Sequence, residues 1–164
     1  MHKEEYHFTF EVFKSSKDLS EQDAALLEQA RTVTNLAYAP YSHFSVGAAA
    51  LLANGEIIKG TNQENASYPV GICAERALLS AIGTMYPNMP IQTMAISYHN
   101  FNKNADSAHP ISPCGMCRQA LLEYEGRTHQ PVRLILSGLE GEVVIIPQSG
   151  LLLPLSFKGE HLKK

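Results

Sequence analysis

A chain of 164 residues with 45% hydrophobic content can bury one complete core. Its formal charge of −3, from 13 Lys+Arg against 16 Asp+Glu, argues against a nucleic-acid partner, since gripping a phosphate backbone calls for a basic face; the one basic run is Lys163-Lys164. Lys3, Glu4, Glu5, Glu11 and Lys14 break up any signal-like apolar core, and the longest apolar stretch, 46–53, is too short to span a bilayer. No membrane association is expected, and the chain reads as cytoplasmic.

Tyr6, Phe8, Phe10 and Val12 alternate with polar residues, the pattern of a half-buried strand over 6–12. At Ser20 the period changes. Ser20 is a good N-cap, Glu21 and Asp23 suit a first turn, and the spacing predicts a helix running toward Tyr38 until Pro40 stops it. Residues 44–53 read as a buried strand, Asn54-Gly55 as a hairpin turn, and 56–61 as the returning strand. A helix is predicted over 74–85, a strand over 91–98, and a polar loop without periodicity over 99–112. A helix over 115–124 and strands over 132–137 and 142–146 complete the series. Strands alternating with helices predict an α/β fold, a three-layer α/β/α sandwich. The hairpin makes its sheet, of about five strands, mixed. Residues 1–19 read as an N-terminal extension offering an extra strand, and 20–164 as one domain.

Two segments carry chemistry: Cys73-Ala74-Glu75 and Pro113-Cys114-Gly115-Met116-Cys117. The chain has three cysteines, an odd number that suits a metal better than a disulfide framework, and all three fall here. Both segments lie at predicted strand-to-helix turns, so the thiols of Cys73, Cys114 and Cys117 would gather at positive helix ends. Three protein ligands with a fourth position open is the pattern of a catalytic zinc site, and one Zn²⁺ per chain is expected. Three thiolates and Zn²⁺ sum to −1, and Arg76 is the candidate cation to offset that charge. Glu75 is not needed as a ligand and is free to move protons. Other readings of the cysteines are a redox pair, buried core thiols, or a structural zinc closed by a fourth ligand such as His99 or His109.

With these segments in view, the chain resembles the short, homotetrameric, zinc-dependent cytidine deaminases. The match also rests on Tyr41-Ser42-His43-Phe44-Ser45-Val46-Gly47-Ala48, on Asn62-Gln63-Glu64-Asn65-Ala66-Ser67-Tyr68, and on Arg118-Gln119 directly after Cys117. A weaker block is Leu152-Leu153-Pro154-Leu155-Ser156-Phe157, and the resemblance covers about residues 20–158. It implies hydrolytic deamination of cytidine and deoxycytidine to uridine and deoxyuridine plus ammonia, in pyrimidine salvage. A zinc-bound hydroxide would attack C4 while Glu75 shuttles the proton. It implies that Asn62 and Glu64 bind the ribose, that Phe44 packs on the pyrimidine and that the Ala74 backbone positions the base. Tyr68 and Phe157 would reach a neighbouring subunit's site in a homotetramer.

A carboxylate suits a sugar hydroxyl and repels a phosphate, so a free nucleoside fits Glu64 better than a nucleotide. Read singly, the 62–65 segment is also a solvated turn, and Phe44 is also plain core. The rival readings are a blasticidin-S-type deaminase and a non-catalytic zinc-stabilised interaction module. Two features depart from the resemblance: the extension 1–19, and the long stretch between Cys73 and Cys114, whose extra residues fall in the loop 99–112.

Overall fold

The strands and helices of the computed structural model are β1 (Glu11–Phe13), α1 (Glu21–Val33), β2 (Phe44–Leu52), β3 (Ile57–Thr61), α2 (Ala74–Met85), β4 (Ile91–Asn100), α3 (Gly115–Thr128), β5 (Arg133–Ser137) and β6 (Val143–Ile146). The structure describes residues 1–162; Lys163-Lys164 lie outside the described residues. One mixed sheet has the order β1-β6-β5-β4-β2-β3. It holds six strands rather than about five, because β1 adds itself antiparallel to β6, with Val12 opposite Val144.

Strand alternation separates the core into two layers. Ala48, Ala50, Met94, Ile96, Leu134 and Leu136 face one way, against Leu78 and Ile82 of α2 and Leu121 and Tyr124 of α3. Ala49, Ala95, Ile135, Val143 and Ile145 face the other way, against Leu26, Leu27 and Ala30 of α1. Helices therefore cover both faces, as the pattern predicts. Two glycines set how closely they approach. A Cβ at Gly60 would lie 2.7 Å from the Ala74 carbonyl and the Leu78 N–H of α2, and a Cβ at Gly47 would collide with the Ala30 carbonyl of α1.

The direction of the strands matters most for function. β2 is antiparallel to both β3 and β4, so β3 and β4 run the same way, and β5 is parallel to β4. The chain leaving β3 and the chain leaving β4 thus emerge at one end of the sheet before entering α2 and α3.

Several boundaries differ from expectation. The N-terminal strand is confined to Glu11–Phe13. Upstream, the rings of Tyr6, Phe8 and Phe10 pack in series with centroids 6.2 and 6.0 Å apart, and the Tyr6 hydroxyl donates to the Leu151 carbonyl at 2.8 Å. Phe8 packed on the core and the Tyr6 hydroxyl bond therefore anchor this part of the extension where a ladder was expected. Ser20 caps α1 by accepting the Asp23 N–H at 3.1 Å, but the helix ends at Val33 and tightens into a 3₁₀ turn at Thr34–Leu36. β4 continues through His99 and Asn100, which pair with Ser45 and Phe44, so the loop begins later than the polarity suggests. α3 runs to Thr128 and ends at His129 in the left-handed region.

A two-pronged ion pair joins α1 to β5. Arg133 donates from Nη1 and Nη2 to the two carboxylate oxygens of Asp23 at 2.7 and 2.8 Å. That hydrogen bond is the main cause holding the Asp23 carboxyl below its ordinary value of 3.8, against an opposing effect of burial. A lowered folded-state pKa stabilises the fold above the ordinary value and stops doing so as pH falls through the lowered one. Asp23→Asn is expected to cost about 1 kcal/mol near neutral pH. Chemical denaturation at stepped pH should show the difference from wild type vanish in acid; a pH-independent difference would contradict the ion-pair origin.

Candidate active site

Cys73 and Cys114 occupy the N-cap positions of α2 and α3, both with extended backbone, and neither sulfur caps its own helix by a hydrogen bond. Cys117 lies in the first turn of α3. The Cys73 and Cys114 sulfurs are 3.7 Å apart, those of Cys114 and Cys117 3.5 Å, and all three lie within 4.8 Å of one another. Thiolates at tetrahedral corners around a zinc would be spaced about 3.8 Å, given Zn–S distances of about 2.3 Å. The three sulfurs fit that cradle. Among the described residues no histidine joins them. His99 lies in β4 with its ring against Phe101, and His109 is exposed. Among the described residues the group holds three ligand atoms, all of them sulfur.

The local charge favours ionised sulfur unevenly. The Cys73 thiol is held down to about 6, chiefly by a hydrogen bond from Cys117, with Cys114 and Arg76 helping and burial and Glu75 opposing. The same bond from the other side, together with burial, pushes the Cys117 thiol up. Arg76, the candidate cation, is the smallest of these influences on Cys73. Its guanidinium leans toward the Met116 sulfur at 4.0 Å.

Glu75, in the first turn of α2, is only 4% exposed. Burial raises its carboxyl pKa, with its own backbone N–H and Cys117 pulling the other way. A carboxyl with a raised pKa holds its proton more readily than a free one, which suits an acid–base group. Ala74, one residue earlier, is fully buried with its carbonyl over Gly60.

The 62–72 segment folds back to meet this centre. Gln63 and Ile72 exchange backbone hydrogen bonds at 2.9 and 3.0 Å, closing a loop that ends beside Cys73. Asn62 uses its amide to bridge β2: Oδ1 accepts the Val46 N–H at 2.7 Å and Nδ2 donates to the Phe44 carbonyl at 2.9 Å. Glu64 Oε2 accepts the N–H groups of Tyr41 and Ser42 at 2.9 and 3.2 Å. The Ser42 hydroxyl, followed by these N–H groups, holds the Glu64 carboxyl below the usual range despite some burial. Tyr41, Ser42, Glu64, Asn65, Tyr68 and Gly71 line a cleft of about 350 Å³. Tyr41 and Tyr68 meet edge-on across 6.0 Å. Phe44 is half-buried and stacked on Tyr98 at 4.9 Å, so one face of its ring is covered.

Phe157 is 56% exposed on the C-terminal segment, beyond this cleft's lining. Two residues whose roles the sequence did not disclose hold that segment to α3. Arg118 donates to the carbonyls of Pro113 and Leu152, and Gln119 donates to that of Phe157. Buried Glu125 adds to this, accepting from Val132 N, Ser149 Oγ and Gln148 Nε2. Glu125 lies just past the helix expected over 115–124, so no sequence signal marked it; the extension of α3 to Thr128 brings it inside the helix.

An α/β sandwich that gathers three thiols and a buried carboxyl at two helix N-termini has the equipment of a zinc-dependent hydrolase. Residues 20–130 match the family described as the cytidine and deoxycytidylate deaminase zinc-binding region. The cytidine deaminase of Halalkalibacterium halodurans is 36% identical over 137 residues, covering 84% of this chain and 95% of that one. The blasticidin-S deaminase of Bacillus cereus is 32% identical over 130 residues, covering 77% and 86%. The crystal structure of cytidine deaminase from Burkholderia pseudomallei matches with a TM-score of 0.69 at 35% identity, covering 85% of this chain and 100% of that chain. The chain belongs to the cytidine and deoxycytidylate deaminase zinc-binding family, and it is an enzyme of the hydrolytic deaminase class. No helix among the described residues is long and apolar enough to cross a membrane.

Proposed function

We propose that the chain deaminates cytidine and deoxycytidine hydrolytically, giving uridine or deoxyuridine and ammonia. The observation that carries this reading is geometric: Glu75 is buried beside three gathered thiols, and Glu64 lines the cleft, held there by the Tyr41 and Ser42 N–H groups. Cys73, Cys114 and Cys117 would hold the zinc, which would supply the Lewis acidity that makes water nucleophilic near neutral pH. Glu75 takes a proton from the attacking water and delivers it to N3 of the pyrimidine, which makes C4 electrophilic. It then carries the second oxygen-borne proton to the amino group. The C4–N bond breaks, ammonia leaves with the bond's electron pair, and C4 keeps the oxygen as a carbonyl.

Phe44 packs on the base and the Ala74 backbone orients it. Asn62 fixes the β2 backbone that carries Phe44 and, with Glu64, faces the ribose. Glu64 accepts from a sugar hydroxyl, and its charge disfavours a phosphate in the same place. Exposed Tyr68 and Phe157, at 76% and 56%, support a homotetramer in which neighbouring subunits complete each site. Unpaired thiols suit a reducing cytoplasm, where the reaction would serve pyrimidine salvage.

A spectrophotometric assay on cytidine, deoxycytidine, CMP and blasticidin S tests the reading. Turnover of both nucleosides, with CMP and blasticidin S at least about a hundredfold poorer in kcat/KM, is expected; each 1.4 kcal/mol lost is tenfold. Blasticidin S as the better substrate would move the assignment to that branch of the family. Turnover of CMP in preference to cytidine would overturn the role given to Glu64.

A further inference from the structure

We propose that Asn102, in the long loop between β4 and α3, is a positioning residue that aims Glu64 at the ribose; the inference rests on the nucleoside reading above. Glu64 takes its orientation from a turn at residues 39–43. That turn is closed by the His43 N–H donating to the Ala39 carbonyl at 3.1 Å, and it puts His43 at φ +53°, a left-handed conformation uncommon for a residue with a Cβ. On the inner side, Glu64 Oε2 receives the Tyr41 and Ser42 N–H groups. Both backbone bonds land on Oε2, so the backbone of the turn leaves Oε1 for a sugar hydroxyl.

The outer side of the same turn is gripped by the loop. Asn102 Nδ2 donates to the Ser42 carbonyl at 2.9 Å, and the Phe101 N–H donates to the His43 carbonyl at 2.9 Å. Asn102 is itself held, because its Nδ2 and backbone N–H both donate to Asn100 Oδ1, at 2.8 and 3.2 Å. Asn100 ends β4, and its N–H donates to buried Ser107 Oγ at 2.9 Å. The Ser107 backbone is pressed against Gly138, where a Cβ would have no room. A rigid strand end, a tethered amide and a closed turn thus connect the loop to Glu64. The turn also reaches the base side of the site, since Ser42 Oγ accepts the Phe44 N–H at 3.1 Å.

If Asn102 lets go, the Ser42 peptide loses its outer support and Glu64 Oε1 loses its aim. Nucleoside binding that depends on the ribose hydroxyl should weaken, while proton transfer at Glu75 should not. Titration calorimetry of uridine and 3′-deoxyuridine into zinc-loaded wild type, Asn102→Ala, Asn102→Asp and Lys103→Ala is the test. Asp keeps the size of Asn but cannot donate to the Ser42 carbonyl, and Lys103 is an exposed neighbour on the same loop.

The two Asn102 variants should bind uridine about five- to tenfold more weakly, the range expected for one lost hydrogen bond. They should bind 3′-deoxyuridine as wild type does, and Lys103→Ala should match wild type for both ligands. In steady state with cytidine, the Asn102 variants should raise KM by the same factor and leave kcat within about twofold. Unchanged uridine affinity in Asn102→Ala would overturn the inference, and so would an equal loss for both ligands. A wild type that binds uridine yet fails to deaminate cytidine would overturn the proposed activity, and the affinities would still decide the role of Asn102.

Discussion

Glu75→Gln is expected to lower kcat for cytidine by about 10²- to 10⁴-fold, the span that one general acid–base group supplies. Zinc should remain near one per chain, because Glu75 stands outside the group of three sulfurs. Glutamine matches the carboxylate in shape, so the 4% exposed pocket stays filled. Burial disfavours the ionised carboxyl, and the neutral amide escapes that penalty, so Tm should be equal to wild type or higher. Kinetics, metal analysis and thermal melting on one preparation separate the possibilities. A near-normal kcat would remove Glu75 from the proton path, while a lost zinc would make it a ligand.

Cys114→Ser should act in the opposite way, on metal and stability together. Cys114 is exposed at the head of α3, whereas Cys117 is buried. Serine at 114 therefore disturbs little packing, and its effect reports the metal. Loss of one of three thiolates should leave zinc well below one per chain. The folded state should lose about 3–5 kcal/mol, on the order of 10 °C in Tm, because the site fastens the starts of two helices. A strong chelator should produce a similar drop in wild type, reversed by adding zinc back. A Cys114→Ser protein that kept its zinc and its Tm would refute the three-thiolate site.

How far the sequence reaches can be judged element by element. The helix expected over 74–85 is seen as Ala74–Met85, since its apolar period and the following Tyr86-Pro87 are local signals. The Asn54-Gly55 turn is equally local: Gly55 takes φ +87°, and its N–H donates to the Leu52 carbonyl. Expectation failed where a long-range contact decides the matter. The rings of Tyr6, Phe8 and Phe10 alternate like a strand, yet only Glu11–Phe13 finds a partner in β6. His99 looks like a loop residue by polarity, yet it pairs with Ser45. Asn62 looks like a solvated turn residue, yet its amide bridges two backbone groups of β2.

The candidate site divides along the same line. Residue chemistry by itself established three thiols, an adjacent carboxyl and helix starts at both metal segments, because ligand type and capping position are properties of short stretches. Only the tertiary structure decided that they meet. Cys73 and Cys114 are 41 residues apart, and their sulfurs come within 3.7 Å because β3 and β4 run the same way and release their chains at one end of the sheet. The same packing buries Glu75 and raises its pKa. It also sets Glu64 on the Tyr41 and Ser42 N–H groups. Burial and strand direction arise from pairings across the whole chain, and no local pattern carries them.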